Sequence, residues 1–151
     1  MANLGFDLGK DNIFWCALGG TRGAPVYVAH GVENYRVVDY REDLIVKSGA
    51  IFLGLINRIK PTKVAYRLSL DATSSDQIAY LHFPVATLIS ICREAKIPST
   101  EFYTRSFTHK LFSIDKSESK EDACDRLIGE HAPNWKRIRN ATLACWASLD
   151  V

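Results

Sequence analysis

The sequence predicts a mixed α/β domain, a five-stranded sheet flanked by helices. Three observations carry this. The first thirty residues hold three short apolar runs separated by polar or glycine-rich turns, the pattern of an antiparallel meander. Two long stretches follow in which apolar residues recur at spacings of three and four, each leading into another short apolar run. The chain closes on a helical pattern in which Trp135, Ile138, Thr142, Cys145 and Leu149 share one face.

Residues 4–8 read as the first strand, ending at Gly9, and residues 12–18 as the second. The turn Gly19-Gly20-Thr21-Arg22-Gly23 is rich in residues that tolerate positive φ, and residues 25–30 return as the third strand. A helix then starts among the acids of residues 39–43 and stops at Lys60-Pro61. Its apolar positions are Ile45, Phe52, Ile56 and Ile59, with Leu55 beside them. Residues 63–70 form the fourth strand, buried at Val64 and Ala65. A second helix covers residues 74–96, and Pro84 is expected to kink it or start it afresh. Ile97-Pro98 is a break before a fifth strand over residues 100–104. A loop and two helices, near residues 119–130 and 134–149, complete the order βββαβαβα with a helical tail.

The bulk numbers bound the function. At 151 residues and 47% hydrophobic, the chain suits a single domain over residues 1–151 with a full core. Nineteen Lys and Arg against 17 Asp and Glu give a net charge of +2, which neither demands nor excludes nucleic acid. Residues 135–140 are locally basic, and a solvated surface explains them as readily as a binding site. Cys16, Cys92, Cys124 and Cys145 show no C-x-x-C pairing and sit among apolar residues, as buried free thiols in a reducing compartment do. The four histidines lack zinc-ligand spacing. With no basic leader and no apolar run long enough to span a bilayer, the expectation is a cytoplasmic protein without a membrane partner.

Five segments, in order and spacing, carry a resemblance. These are Gly5-Phe6-Asp7-Leu8-Gly9 with the polar turn Lys10-Asp11-Asn12, Lys60-Pro61-Thr62-Lys63-Val64-Ala65, Ile97-Pro98-Ser99-Thr100-Glu101-Phe102, Ser119-Lys120-Glu121-Asp122, and Asn140-Ala141-Thr142-Leu143-Ala144. Together they resemble the RuvC-type Holliday-junction resolvases of the RNase H-like superfamily over nearly the whole chain. The resemblance implies two-metal hydrolysis of a phosphodiester, in which two cations about 4 Å apart clamp the attacking water and the leaving oxygen. Magnesium takes oxygen ligands, so several carboxylates must converge: one from the first strand, one from the end of the fourth, two from the last helix.

Carried over by position, Asp7 stands where the first-strand aspartate belongs. Arg67, or Tyr66 under a one-residue shift, takes the place of the fourth-strand glutamate. In the last helix Asn140 or Ala141 takes the later aspartate's place, and Arg137 or Ile138 the earlier one's. One expected carboxylate remains of four. An arginine there repels a metal and pairs with Asp7, which is expected to stay ionised with a lowered pKa. Asp7 also reads simply as a turn or capping residue. Asp71, Asp76, Asp122, Asp125 and Asp150 are the acids available as substitutes.

The expected function is therefore a pseudo-nuclease that binds branched DNA or a protein partner without cleaving and needs no cofactor. Such a protein suits DNA recombination on a mobile element. One alternative is a divergent magnesium-dependent junction endonuclease, and another is an interaction module that no longer touches nucleic acid. Arg105, Lys110, Lys136, Arg137, Arg139 and Arg22 are the candidate DNA contacts. The resemblance also implies a two-fold homodimer. The face of Ile78, Leu81, Val85 and Leu88 serves as its interface or packs on the sheet. The aromatics Phe14, Trp15, Tyr66, Tyr80, Phe83, Phe102, Tyr103, Phe107 and Phe112 read mostly as packing.

Overall fold

Alternation along the first strand decides the layering. In β1 (Asn3–Leu8), Leu4, Phe6 and Leu8 point into one core, while Gly5 and Asp7 face the opposite side of the sheet. The structure is a computed structural model that describes residues 1–9, 12–34, 41–68 and 75–151. Strands β2 (Asn12–Thr21) and β3 (Ala24–Asn34) pair antiparallel beside β1. Strands β4 (Val64–Arg67) and β5 (Ser99–Phe102) run parallel to β1 on its other side, so the sheet order is β3-β2-β1-β4-β5. This is the mixed five-stranded sheet that the sequence predicts.

Helices α1 (Arg41–Ile59) and α2 (Ser75–Glu94) cover one face. Their Leu44, Phe52, Leu55, Ile56, Val85, Leu88 and Cys92 pack on Leu4, Phe6, Leu8, Val64 and Tyr66. Phe52 meets Phe6 edge-on with ring centroids 5.2 Å apart. The other face belongs to α5 (Trp135–Ser148), reached from β5 through a 3-10 turn (Thr104–Ser106), α3 (His109–Phe112) and α4 (Lys120–Leu127). Ser119 and Thr108 cap α4 and α3 by accepting from Asp122 and Leu111 backbone N–H groups. The inward stripe predicted for the last helix is as expected: Trp135, Ile138, Thr142, Cys145 and Leu149 are all buried. All four cysteines are free and buried, and burial pushes the Cys16 thiol up to about 12.

Helix α5 lies on the sheet because the residues beneath it are small. Gly5 and Ala65 are register partners on adjacent strands. A Cβ on Gly5 would stand 2.3 Å from the Ala141 carbonyl oxygen and 2.5 Å from Cys145 Cβ. The glycine that opens the Gly-x-Asp-x-Gly motif is thus a contact requirement of the helix that crosses it.

Several expectations need correction. Ile45 is exposed and Leu44 takes the inward position, in phase with Ser48, Phe52 and Leu55, while Phe52, Leu55 and Ile56 are buried as expected. Pro84 does not start α2 afresh, since one helix continues through it to Glu94. The second strand runs on to Thr21 and the third to Asn34 because β2 and β3 pair with each other along their whole lengths, with a register shift between Ala17 and Leu18. The fifth strand stops at Phe102, and α3 is a helix where only a loop was expected. The polar turn at residues 10–11, the Asp39 helix start and Asp71 fall outside the described residues. Among the described residues, no helix is long and apolar enough to cross a membrane.

Gly5→Ala should destabilise the protein by about 1–3 kcal/mol, the usual cost of overpacking a well-filled core. A urea unfolding curve measures it; an unchanged midpoint would mean that α5 can lift off β1 without loss.

Candidate functional site

Parallel pairing of β1 with β4 sets Asp7 opposite Arg67, on the sheet face that carries α5. The one-residue alternative is thereby decided: Tyr66 pairs with Phe6 and points into the other core, so Arg67 holds the fourth-strand position. Arg67 Nη1 donates to Asp7 Oδ1 at 3.0 Å, and Arg67 Nε donates to Thr104 Oγ1 at 3.2 Å. From α5, Asn140 brings its side-chain amide close enough to Asp7 to favour the charged carboxylate. Ala141, by contrast, is fully buried against Gly5, so Asn140 is the helix residue that faces the site. Arg137 sits one turn earlier on the same side of the helix and is exposed, whereas Ile138 is buried.

Burial dominates the electrostatics of Asp7. Its desolvation pushes the carboxyl above the ordinary 3.8, and the Arg67 charge, the Arg67 hydrogen bond and the nearby Asn140 amide recover only part of that rise. The expected lowering of the Asp7 pKa is thus reversed, because the side chain is only 14% exposed and its partner 18%.

This donor set does not suit a divalent cation. It offers one carboxylate, already engaged, one neutral amide and a fixed guanidinium that repels a metal. Among the described residues, no three His, Cys, Asp or Glu side chains gather in a metal-binding group. Two of the substitute acids are committed elsewhere: Asp125 to Arg139 and to Trp135 Nε1, and Asp150 to Lys63 at 2.5 Å. Asp122 is exposed on the first turn of α4. Asp71 and the side chain of Asp76 lie outside the described residues.

The candidate DNA contacts divide by their partners. Arg22 donates to the carbonyls of Leu111, Ala147 and Leu149, at 3.2, 3.1 and 2.9 Å, where it satisfies the C-terminal carbonyls of α5. Arg139 grips Asp125 through two nitrogens, at 3.2 and 2.5 Å. Both arginines thus hold the fold together. Arg105, Lys110, Lys136 and Arg137 are exposed. The Arg105 guanidinium lies 5.5 Å from the centre of the Tyr103 ring. Ahead of α5, His131 stacks on Tyr27 with centroids 3.5 Å apart, and His30 accepts from or donates to the Tyr27 hydroxyl at 2.8 Å. That cluster pins the segment that presents Lys136 and Arg137, and nothing in the spacing of these residues announces it. Thr104, which anchors Arg67, is equally silent in the sequence.

The three-dimensional arrangement has known counterparts. The chain matches RuvC of T. thermophilus, solved in complex with a Holliday junction substrate, with a TM-score of 0.78 over 97% of this chain and 91% of that one, at 13% identity. A second structure of Thermus thermophilus RuvC gives 0.77 at 14% identity, covering 97% and 92%. This chain has the RuvC fold. The yeast mitochondrial Holliday junction resolvase Ydc2 matches with a TM-score of 0.70 at 13% identity, over 96% of this chain and 76% of that one. No protein-family model matches the chain, and no curated protein matches it in sequence. At such identities the RuvC likeness speaks for the fold, and the chemistry has to be read from the side chains.

Arg67→Ala should cost about 3–5 kcal/mol at pH 7, since it leaves a largely buried carboxylate without its cation. The paired substitution Asp7→Asn with Arg67→Gln removes both charges and should be close to neutral or stabilising. The raised pKa means that folding favours protonated Asp7; this contribution is present below about 3.8 and lost as pH rises through the higher native value. The deficit of Arg67→Ala should accordingly shrink on acidification. Urea melts of all three proteins at neutral and acidic pH test this, and a paired variant as unstable as Arg67→Ala would show that attraction outweighs burial.

Proposed function

We propose that this protein is a RuvC-like pseudo-nuclease, which binds branched or structured DNA without cutting it. One observation carries the reading: where a two-metal site needs acids from the fourth strand and the last helix, Asp7 meets Arg67 and Asn140. Among the described residues no cluster of carboxylates stands there to hold the metals that would activate a water or stabilise the leaving oxygen. The fold supplies the other half of the reading, since a solved RuvC of the same architecture holds a Holliday junction. Lys110, Arg105, Lys136 and Arg137 are exposed cations on segments that follow β5 or open α5, suited to neutralising backbone phosphates. Four unpaired thiols suit a reducing compartment such as the cytoplasm.

A second reading, a protein-interaction module, is favoured by the outer face of α1 and α2. Ile45, Phe83, Ala86, Thr87, Ser90 and Ile91 line an open apolar hollow there, and Val46, Leu53 and Ile89 are exposed nearby on the same helices. Val85 and Leu88, by contrast, pack inward on the sheet. A two-fold homodimer through this face would join both readings, and sedimentation equilibrium distinguishes it from a monomer.

The protein should leave a four-way junction intact with magnesium or manganese, and Arg67→Glu should not restore cutting because Asn140 remains. It should bind that junction in a gel shift, with an affinity that falls steeply as salt rises. Lys110→Ala and Lys136→Ala should each weaken binding and make the slope of log affinity against log salt shallower by about one. Cleavage by the wild type would overturn the pseudo-nuclease reading. Absence of junction binding at low salt would leave the interaction module.

A further inference from the structure

The mismatch between this site and a metal has a constructive side. Arg67 is not merely a plug. Its guanidinium is fixed from two directions, by Asp7 on β1 and by Thr104 beyond β5, yet 18% of the side chain stays exposed. Among the described residues its Nη2 meets no acceptor. Thr104 is followed directly by the exposed Arg105, and Asn140, which reaches Asp7, is preceded one turn earlier by the exposed Arg137. Three arginines therefore stand on the three segments that meet at Asp7: β4, the turn after β5, and α5. Among the described residues Asp7 is the acid that pairs with Arg67, while Arg105 and Arg137 are exposed.

We propose that this pocket binds a DNA phosphodiester directly on the Arg67 guanidinium, supported by Arg105 and Arg137, in the place where a cutting enzyme of this fold needs cations. The inference rests on the DNA-binding reading above and deepens it. A guanidinium suits the task because its planar fork pairs with phosphate oxygens, and Asp7 and Thr104 hold that fork in position before the ligand arrives. The phosphate is held but not cleaved: the guanidinium neutralises its charge and delivers no hydroxide. Junction binding should thus be indifferent to divalent metal.

The test measures binding of a fluorescent four-way junction by anisotropy, with the full chain, in chelator and again in magnesium. The expected dissociation constant is the same in both. Arg67→Gln should weaken binding about tenfold and make the log–log salt slope shallower by about one, as for loss of one phosphate contact. Because that variant leaves a buried carboxylate unpaired, the Asp7→Asn/Arg67→Gln protein is measured too; it keeps the shape of the pair, and its fold is checked by its melting curve. The same loss of affinity in that folded protein supports the phosphate site. Junction binding that appears only with magnesium would overturn the inference. So would wild-type affinity in the folded double variant while Lys110→Ala and Lys136→Ala still weaken binding, and in that case the DNA-binding reading stands. No binding by the wild type in any condition defeats the reading and the inference together.

Discussion

Everything around the site depends on how closely α5 approaches β1. Gly5 leaves no room for a side chain between the strand and the carbonyl of Ala141, and Cys145 closes the same gap one turn later. Seated there, the helix brings Asn140 to Asp7 and turns Arg137 outward. The strand on the far side of β1 offers Ala65 beneath the helix and then, two residues on, Arg67. Two small residues thus fix the helix, and the next pair along the same strands, Asp7 and Arg67, meets at its edge.

The pair itself shows two opposing terms. Burial raises the Asp7 carboxyl, and the adjacent cation does not fully offset it. A carboxylate in that position costs stability at neutral pH, whatever it holds in place. What it holds is a guanidinium, further tethered by Thr104. An ion pair of this kind positions more than it stabilises, which is the arrangement expected where a side chain must wait, correctly aimed, for a ligand.

The basic residues sort by what the fold asks of them. Arg22 reaches from the β2–β3 turn to the last carbonyls of α5, and its own carbonyl accepts from Trp146 Nε1 at 2.8 Å, so turn and helix end are tied twice. Arg139 and Asp125 tie α5 to α4. Removing Arg22 would take a donor from three carbonyls, and removing Arg139 would leave the Asp125 carboxylate without its cation, whichever ligand the protein takes. Arg105, Lys110, Lys136 and Arg137 lie outside this framework, and their charges face solvent.

Periodicity alone determined the class of fold, the inward face of α5 and, α3 apart, the order of strands and helices, because these follow from where apolar residues recur along the chain. The positions Asp7, Arg67 and Asn140 were also legible, as departures from a pattern whose spacing the chain keeps. The first inward position of α1 was not, since Leu44 and Ile45 are equally apolar and only the sheet beneath decides which is buried. Nor was the course of α2 through Pro84. The choices between Arg67 and Tyr66, and between Asn140 and Ala141, needed the strand register and the seat of the helix on Gly5. The partners of Arg22, Arg139 and Arg67 lie 37 to 127 residues away for Arg22 and Arg67, and 14 away for Arg139. A sequence states which charges exist; only the folded chain decides which of them are spent on one another, because that depends on distances and burial set by packing between remote segments.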